Sequence, residues 1–149
     1  MGFGLHVVER LRFRKINCAF AMSGTFRELE CWQKAFDLSL SIYNATRLFP
    51  KDDLFGLTSQ LRRAAVSVVS SIAERKGRFS EKDLLRFLAN ARGSLFELEI
   101  QVALAERLGY LARAEAIKLL AEASESGKLI NRLLGLSIRS AQTHQQPEA

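Results

Sequence analysis

A run of apolar residues between positions 84 and 105 constrains the fold of this chain more than any other feature. The run consists of Leu84, Leu88, Ala91, Leu95, Leu98, Val102 and Ala105. Spacings that alternate between four and three place all members on one face of an α-helix, whereas a strand repeats every two residues. Ser80 and Asp83 precede the run as a capping-box pattern, and Gly109 follows it as a stop. Together they predict one helix, roughly 40 Å long.

Three further segments show helical spacing of apolar residues, at about 28–48, 57–76 and 113–140. Pro50 stops the first segment, since the residue before a proline disfavours the α region, and Gly77 suits the end of the second. The chain holds only 2 prolines, which favours long uninterrupted helices. Four long amphipathic helices with short connections predict an all-α, antiparallel, up-down-up-down four-helix bundle.

Helices three and four contain features that indicate close contacts. Gly93 and Gly127 lie inside them, where glycine costs about 1 kcal/mol against alanine and usually permits close packing. The apolar surface of the third helix also extends beyond its seam, at Leu85, Phe87, Phe96 and Ile100. One buried stripe is enough for a monomeric bundle, so the excess favours self-association over a wide stripe within one chain.

The chain divides into a head, a bundle and a tail. Residues 1–22 carry a net charge of +3, and charged residues interrupt any apolar run of signal-peptide length. We expect this head to be a non-native or disordered basic extension, with Met22 as the true start. A basic nucleic-acid arm and a targeting segment are the alternatives. Residues 23–141 hold the bundle, and residues 142–149 form a flexible polar tail.

The positive charge of the chain is concentrated in its middle. The total is +6, and residues 62–92 hold eight basic residues against three acidic ones, a net +5. Such a distribution suits a polyanionic partner, although a merely solvated basic surface would look the same. The candidate nucleic-acid-binding residues are Arg63, Arg75, Lys76, Arg78, Lys82 and Arg86. Most of them bracket the turn between helices two and three, where Phe79 would stack on an unpaired base or pack under the turn.

Catalytic and metal-binding patterns are missing from the sequence. The two histidines, His6 and His144, lie near the chain ends, whereas catalytic and metal-ligating histidines need rigid surroundings. Glu97 and Glu99 are two residues apart and cannot face one ligand on a helix. We therefore expect no enzyme activity, no catalytic residues, no metal and no cofactor.

We expect Glu97 and Glu99 to pair across the bundle with Arg62 or Arg63, Arg62 being partly buried and in need of an acid. Of the two cysteines, Cys31 is expected to be a core residue, and no disulfide framework is possible. The absence of such a framework fits a reducing compartment, and no apolar run is long enough to span a bilayer. The expected location is the cytoplasm, without membrane contact.

Several short stretches in residues 27–136 match one known family in the same order. They are Trp32-Gln33-Lys34-Ala35, Leu48-Phe49-Pro50, Phe55-Gly56-Leu57-Thr58, Gln60-Leu61-Arg62-Arg63-Ala64-Ala65-Val66-Ser67, Ile72-Ala73-Glu74, Gly93-Ser94-Leu95, Glu97-Leu98-Glu99 and Leu108-Gly109-Tyr110-Leu111. The set resembles the bacterial four-helix-bundle proteins encoded in intervening sequences of 23S ribosomal RNA genes. It is also similar to the accessory variability determinant of diversity-generating retroelements.

The resemblance implies a ring-shaped homopentamer of four-helix bundles. For the retroelement protein it implies a basic barrel that binds nucleic acid and a reverse transcriptase. The family usually reads Asn-Ile-Ala-Glu-Gly where this chain has Ser71-Ile72-Ala73-Glu74-Arg75. Loss of that glycine changes the end of helix two, loss of the asparagine removes any role of its side chain, and the arginine adds to the basic cluster.

Two functions follow as expectations. The first is a non-enzymatic oligomeric binding protein, a pentamer by resemblance, that acts as a nucleic-acid-binding accessory factor for RNA or DNA. The second is a protein-interaction module that docks a partner such as a reverse transcriptase or a ribosome-associated protein, without direct nucleic-acid contact. Binding that weakens steeply with salt would favour the first function, and a partner retained at high salt would favour the second.

Overall fold

The computed structural model describes residues 30–74 and 80–143 of the chain. They form four α-helices, with bounds α1 Glu30–Thr46, α2 Ser59–Glu74, α3 Glu81–Arg107 and α4 Arg113–Thr143. A 3₁₀ turn at Lys51–Asp53 and a π-helical turn at Leu54–Thr58 join α1 to α2. No strand occurs in the described ranges. The predicted all-α four-helix bundle is confirmed.

Neighbouring helices of the bundle run in opposite directions. The Ser39 hydroxyl of α1 donates to the carbonyl of Ala65 in α2 at 3.1 Å. Seven residues further along α1, Thr46 accepts a hydrogen bond from Arg62, which lies three residues before Ala65. Each helix packs on the next one in the chain, and α1 packs on α4 to close the bundle.

The predicted seam of α3 is buried in the bundle core. Leu88, Ala91, Leu95, Leu98, Val102 and Ala105 are all between 0% and 3% exposed. Leu84, the first member of the seam, is half-buried. The other three helices meet the seam with their own apolar faces, at Leu38, Ile42, Leu61, Ala65, Val68, Ile72, Ala116, Leu119, Ala123 and Ile130. Removal of this apolar surface from water is the main term that stabilises the fold.

Helix α3 begins and ends where the capping box and the glycine stop in the sequence predict. Ser80 is its N-cap: the hydroxyl accepts a hydrogen bond from the Asp83 N–H at 3.1 Å and donates to the Asp83 carboxylate at 2.7 Å. Past the end of the helix, Gly109 has a φ of 79°, the left-handed conformation in which glycine avoids a steric penalty.

The two turns at the C-terminal end of α3 contact each other. The rings of Phe49 and Tyr110 lie 5.4 Å apart, which joins the turn after α1 to the turn after α3. Desolvation raises the pKa of Tyr110, and the carboxylate of Asp53 raises that pKa further. The Asp53 carboxylate also accepts the Leu57 N–H at 3.2 Å and so caps the π-helical turn that leads into α2.

The two helical glycines differ in their surroundings. A Cβ at Gly127 would lie 3.2 Å from the Leu95 Cδ2 atom, so α4 approaches α3 closely there, as predicted. A Cβ at Gly93 would meet nothing within 4 Å. The expectation that another backbone approaches Gly93 is therefore wrong within this subunit, because Gly93 faces outward from the seam.

The division into head, bundle and tail stays a prediction. The head at residues 1–22 and the tail beyond residue 143 lie outside the described residues, and α4 continues to Thr143. The replacement of a family glycine by Arg75 also lies outside them. Ser71, at the position of the family asparagine, is buried.

Candidate nucleic-acid interface

The structure describes half of the predicted basic set. Arg63, Lys82 and Arg86 are exposed, whereas Arg75, Lys76, Arg78 and the neighbouring Phe79 lie outside the described residues. Lys82 and Arg86 stand one turn apart at the start of α3. Arg63 is eleven residues before the end of α2 at Glu74, or roughly 16 Å along the helix axis. Arg63 is therefore separate from the turn that the other candidates bracket.

Arg86 is held by two weak contacts at the surface. Its guanidinium lies 3.4 Å from the Asp83 carboxylate, and the guanidinium carbon lies 5.1 Å from the Phe87 ring centroid. The arginine side chain remains 63% exposed. Because an exposed ion pair contributes little free energy, the guanidinium stays available to a phosphate group.

The outer side of α3 carries a second group of exposed residues beyond these bases. Phe96, Ile100, Leu104 and Leu108 repeat every four residues and are 50%, 69%, 48% and 52% exposed. We call these four residues the outer row. The predicted apolar excess of helix three is confirmed at Phe96 and Ile100. Phe87 is buried and Leu85 is half-buried, so neither belongs to the row.

A groove of about 650 Å³ lies between α3 and α4 at the start of the outer row. Its lining residues are Ala89, Arg92, Gly93 and Phe96 from α3, and Asn131, Leu134, Gly135 and Ile138 from α4. The Arg92 guanidinium carbon lies 5.3 Å from the Phe96 ring centroid, within cation–π distance. A Cβ at Gly135 would meet no atom within 4 Å, as at Gly93. Two glycines thus leave this α3/α4 groove open.

Sequence reasoning counted Arg92 as a charge but did not assign it to a site, and it missed Asn131. The sequence did contain one signal for the Arg92–Phe96 contact. Arg92 and Phe96 are four residues apart, and residues at that spacing are neighbours on a helix. Asn131 had no comparable signal, because its place beside Phe96 depends on how α3 and α4 pack.

The predicted pairing of Arg62 is wrong. Its Nε donates to the Thr46 hydroxyl at 2.8 Å, and its guanidinium carbon lies 4.9 Å from the Tyr43 ring centroid. Within the described parts of the chain, neither Glu97 nor Glu99 forms an ion pair with Arg62 or Arg63. Arg62 turns toward α1, where a hydroxyl and an aromatic face take the place of an acid.

Other chemistry is sparse in the described ranges. No three side chains among their histidines, cysteines, aspartates and glutamates come together where they could hold a metal ion. None of the helices in residues 30–74 and 80–143 combines the length and apolarity needed to cross a bilayer. Cys31 is buried and belongs to the core, as predicted.

Helix order, antiparallel packing and the shared apolar core define the class of this protein as an antiparallel four-helix bundle. Comparison with known families places it more narrowly. The sequence model of the family described as 23S rRNA-intervening sequence protein matches residues 27–132. The chain therefore belongs to that family, and the predicted resemblance to it is confirmed. The link to the retroelement accessory protein stays a prediction.

The fold is similar to that of a solved structure. It is the crystal structure, at 1.70 Å resolution, of a protein with unknown function from the S23 ribosomal protein family of Bacteroides thetaiotaomicron VPI-5482. The two chains are 21% identical, the match covers 70% of this chain and 95% of that one, and the TM-score is 0.66. Identity at this level supports the common fold. No curated protein matches the chain.

Proposed function

We propose that this chain is a non-enzymatic, self-associating protein that binds nucleic acid as an accessory factor in the cytoplasm. The observation that carries the proposal is the exposed face of α3, where basic residues at the start of the helix lead into an apolar row. Residues 75–93 hold six basic side chains against two acidic ones. Clustered positive charge of this kind supplies most of the affinity for a phosphate backbone.

The outer row supports self-association. Its four side chains run from Phe96 to Leu108, the C-cap of α3, over roughly 18 Å, and each is about half exposed or more. Monomeric proteins seldom leave a contiguous apolar patch of this kind in water. The family resemblance implies a ring of five copies. Such a ring would repeat the basic start of α3 five times and raise the affinity for a long polyanion through multivalency.

The sequence supports the absence of catalysis. The only two histidines are His6 and His144, one near each chain end, and the interior of the chain has no histidine to act as a general base or metal ligand. The single cysteine of the bundle helices, Cys31, is buried in the core. A buried thiol in apolar surroundings is a poor nucleophile.

A second function has one observation in its favour. Leu48 and Phe55, in the connection from α1 to α2, are 89% and 93% exposed. They lie at the C-terminal end of α3, a helix length from its basic start. Exposed aromatic and aliphatic side chains anchor protein interfaces, so this end suits a protein partner such as a reverse transcriptase or a ribosome-associated protein.

Binding of the full chain to structured RNA and duplex DNA across a salt series tests the first function. In the variant Lys82→Gln/Arg86→Gln, we expect weaker binding and a slope of log K against log salt that is smaller by about two. The matched control is Arg107→Gln/Lys118→Gln, which removes the same charge near the other end of the bundle. Equal losses of affinity in both variants would mean that binding does not depend on a defined surface at the start of α3. Failure of the wild type to bind at low salt would favour the second function, in which the chain binds a protein partner.

A further inference from the structure

The basic start of α3 and the α3/α4 groove lie on one continuous face of the helix. Lys82, Arg86, Ala89, Gly93 and Phe96 follow one another at spacings of four, three, four and three. Side chains at these spacings form a single stripe along a helix. Gly93 is seven residues from Arg86, or roughly 10 Å along the axis. A single strand of nucleic acid whose phosphates are bound at the first turns of α3 would therefore reach the groove within a few nucleotides.

The lining of the groove combines three kinds of group that recognise a nucleobase. Phe96 presents a half-exposed ring with the Arg92 guanidinium over one of its faces, and aromatic rings and guanidinium planes both stack on unpaired bases. Asn131 is exposed on the opposite wall, and its amide both donates and accepts hydrogen bonds. None of the described residues that line the groove is acidic, so none of them repels a phosphate.

The dimensions of the groove are compatible with such a ligand. Its volume of about 650 Å³ falls within the range of small-ligand sites. Gly93 and Gly135 have open space where a Cβ would project. This open space leaves room for a flat ring next to the Arg92–Phe96 pair.

We propose that the α3/α4 groove binds one unpaired base of a single-stranded nucleic acid. The base stacks on the Arg92–Phe96 pair, and Asn131 hydrogen-bonds to its edge, while Lys82 and Arg86 hold neighbouring phosphates. This inference rests on the proposed nucleic-acid function and assigns it a specific site. It also accounts for the two glycines, which would otherwise weaken two helices without any close packing in return.

A second copy of the chain is the alternative occupant of the groove, and the charge of Arg92 disfavours it. An apolar side chain inserted there would remove the guanidinium from water and leave it with only the Phe96 ring as a partner, which is costly. A nucleotide brings its own phosphate to Arg92. The remainder of the outer row, from Ile100 to Leu108, offers apolar surface without Arg92 and suits contact between copies better.

The test compares two strands that differ only in their bases. The probes are a short single-stranded oligonucleotide and the same strand made abasic throughout, so that the phosphate contribution cancels between them. We expect the wild-type chain to bind the base-bearing strand about tenfold tighter, as is typical of aromatic stacking. Phe96→Leu should bring that ratio close to one while binding of the abasic strand stays unchanged.

A second variant shows whether a lost preference for bases results from the groove itself rather than from a defect in folding or assembly. Gly93→Leu adds a side chain where the subunit has open space, and leucine is a better helix former than glycine, so the fold should persist with an unchanged or higher Tm. The leucine side chain should fill the groove, so the affinity ratio between the base-bearing and the abasic strand should again fall to about one. Ile117→Ala, which shortens an exposed aliphatic side chain of α4 outside both the groove and the outer row, is the matched control and should keep the ratio. Light scattering on every variant reports the assembly size.

The possible outcomes separate the groove from the proposed function. A wild-type ratio near one, or a ratio that survives Gly93→Leu, overturns the base site and leaves binding through phosphates intact. A change of assembly size in Gly93→Leu would identify the groove as a contact between copies and overturns the base site too. Failure of the wild type to bind either strand at low salt removes the nucleic-acid function itself.

Discussion

The inner and outer faces of α3 are built from similar residues but have opposite environments. Leu98 on the inner face is 0% exposed, whereas Ile100, two residues later, is 69% exposed. Both are large aliphatic side chains in the same well-formed helix. The difference arises because α2 and α4 pack on the inner face, and none of the four described helices covers the outer row. Apolar character therefore identifies a surface that has to be covered, but the neighbouring helices decide whether the subunit itself covers it.

The glycines of α3 and α4 repeat this contrast. Gly127 of α4 meets Leu95 of the α3 seam at close range, so the missing Cβ permits tight packing. Gly93 faces the open groove, where an added Cβ would meet no atom of the described chain within 4 Å. Glycine therefore permits close packing at position 127, which faces the core, and leaves an open groove at position 93, which faces away from the core.

The largest expected effect separates the two faces of α3 by stability. Leu98→Ala should lower the free energy of unfolding by about 2–5 kcal/mol, because it leaves a cavity in the core. Ile100→Ala should change the stability of the isolated subunit by less than about 0.5 kcal/mol, as exposed substitutions generally do. Denaturant unfolding at low protein concentration measures both. Equal losses would mean that the outer row is packed within one subunit.

The next effect concerns assembly. Ile100→Asp places a charge in the middle of the outer row, and burial of an unpaired carboxylate between copies is strongly unfavourable. We expect the assembly to dissociate toward monomers with little change in helix content. Light scattering and circular dichroism measure the two quantities, and Lys118→Asp, at an exposed site on α4, is the control. An unchanged molar mass would contradict an interface at the outer row.

The glycine contrast predicts changes of opposite sign. Gly127→Val should destabilise the fold by about 1–3 kcal/mol, since the added side chain collides with Leu95 in the packed interior. Gly93→Ala should stabilise it by up to about 1 kcal/mol, because alanine is the better helix former and meets open space. Thermal and denaturant unfolding provide both values. A loss at Gly93 would show that something covers the groove.

The smallest effect lies at the boundary between the two faces. The hydroxyls of Ser67 on α2 and Ser94 on α3 are 2.8 Å apart and only partly buried. Ser94→Ala should lower the free energy of unfolding by about 0.5–1.5 kcal/mol, the usual net value of one hydrogen bond. The double variant Ser67→Ala/Ser94→Ala should cost less than the sum of the two single losses. Full additivity would mean that the two hydroxyls do not interact.

Features that depend on local sequence were predicted well. The heptad seam, the Ser80 cap and the Gly109 stop of α3 each depend on residues within a few turns of one another. The apolar excess at Phe96 and Ile100 was also visible in the sequence. Half of the basic candidate set lies outside the described residues, so the turn cluster stays a prediction.

Features that depend on two helices were predicted less well. Arg62 was assigned an acidic partner on charge alone, but its rotation toward α1 brings Tyr43 and Thr46 within reach instead. Gly93 was expected to pack closely, because a glycine in a helix is usually explained by a neighbour. The α3/α4 groove was not predicted, since it requires Phe96 and Asn131, thirty-five residues apart in sequence, to line one space.

The sequence by itself determined that this chain forms four amphipathic helices, where α3 begins and ends, and which residues of α3 form its seam. Periodicity and capping act over a few residues, so they can be read along the chain. Only the tertiary structure decided which partner Arg62 takes, which glycine is packed, and that Arg92, Phe96 and Asn131 line one open groove. Those results depend on the rotation and separation of packed helices, which arise from side chains distant in sequence.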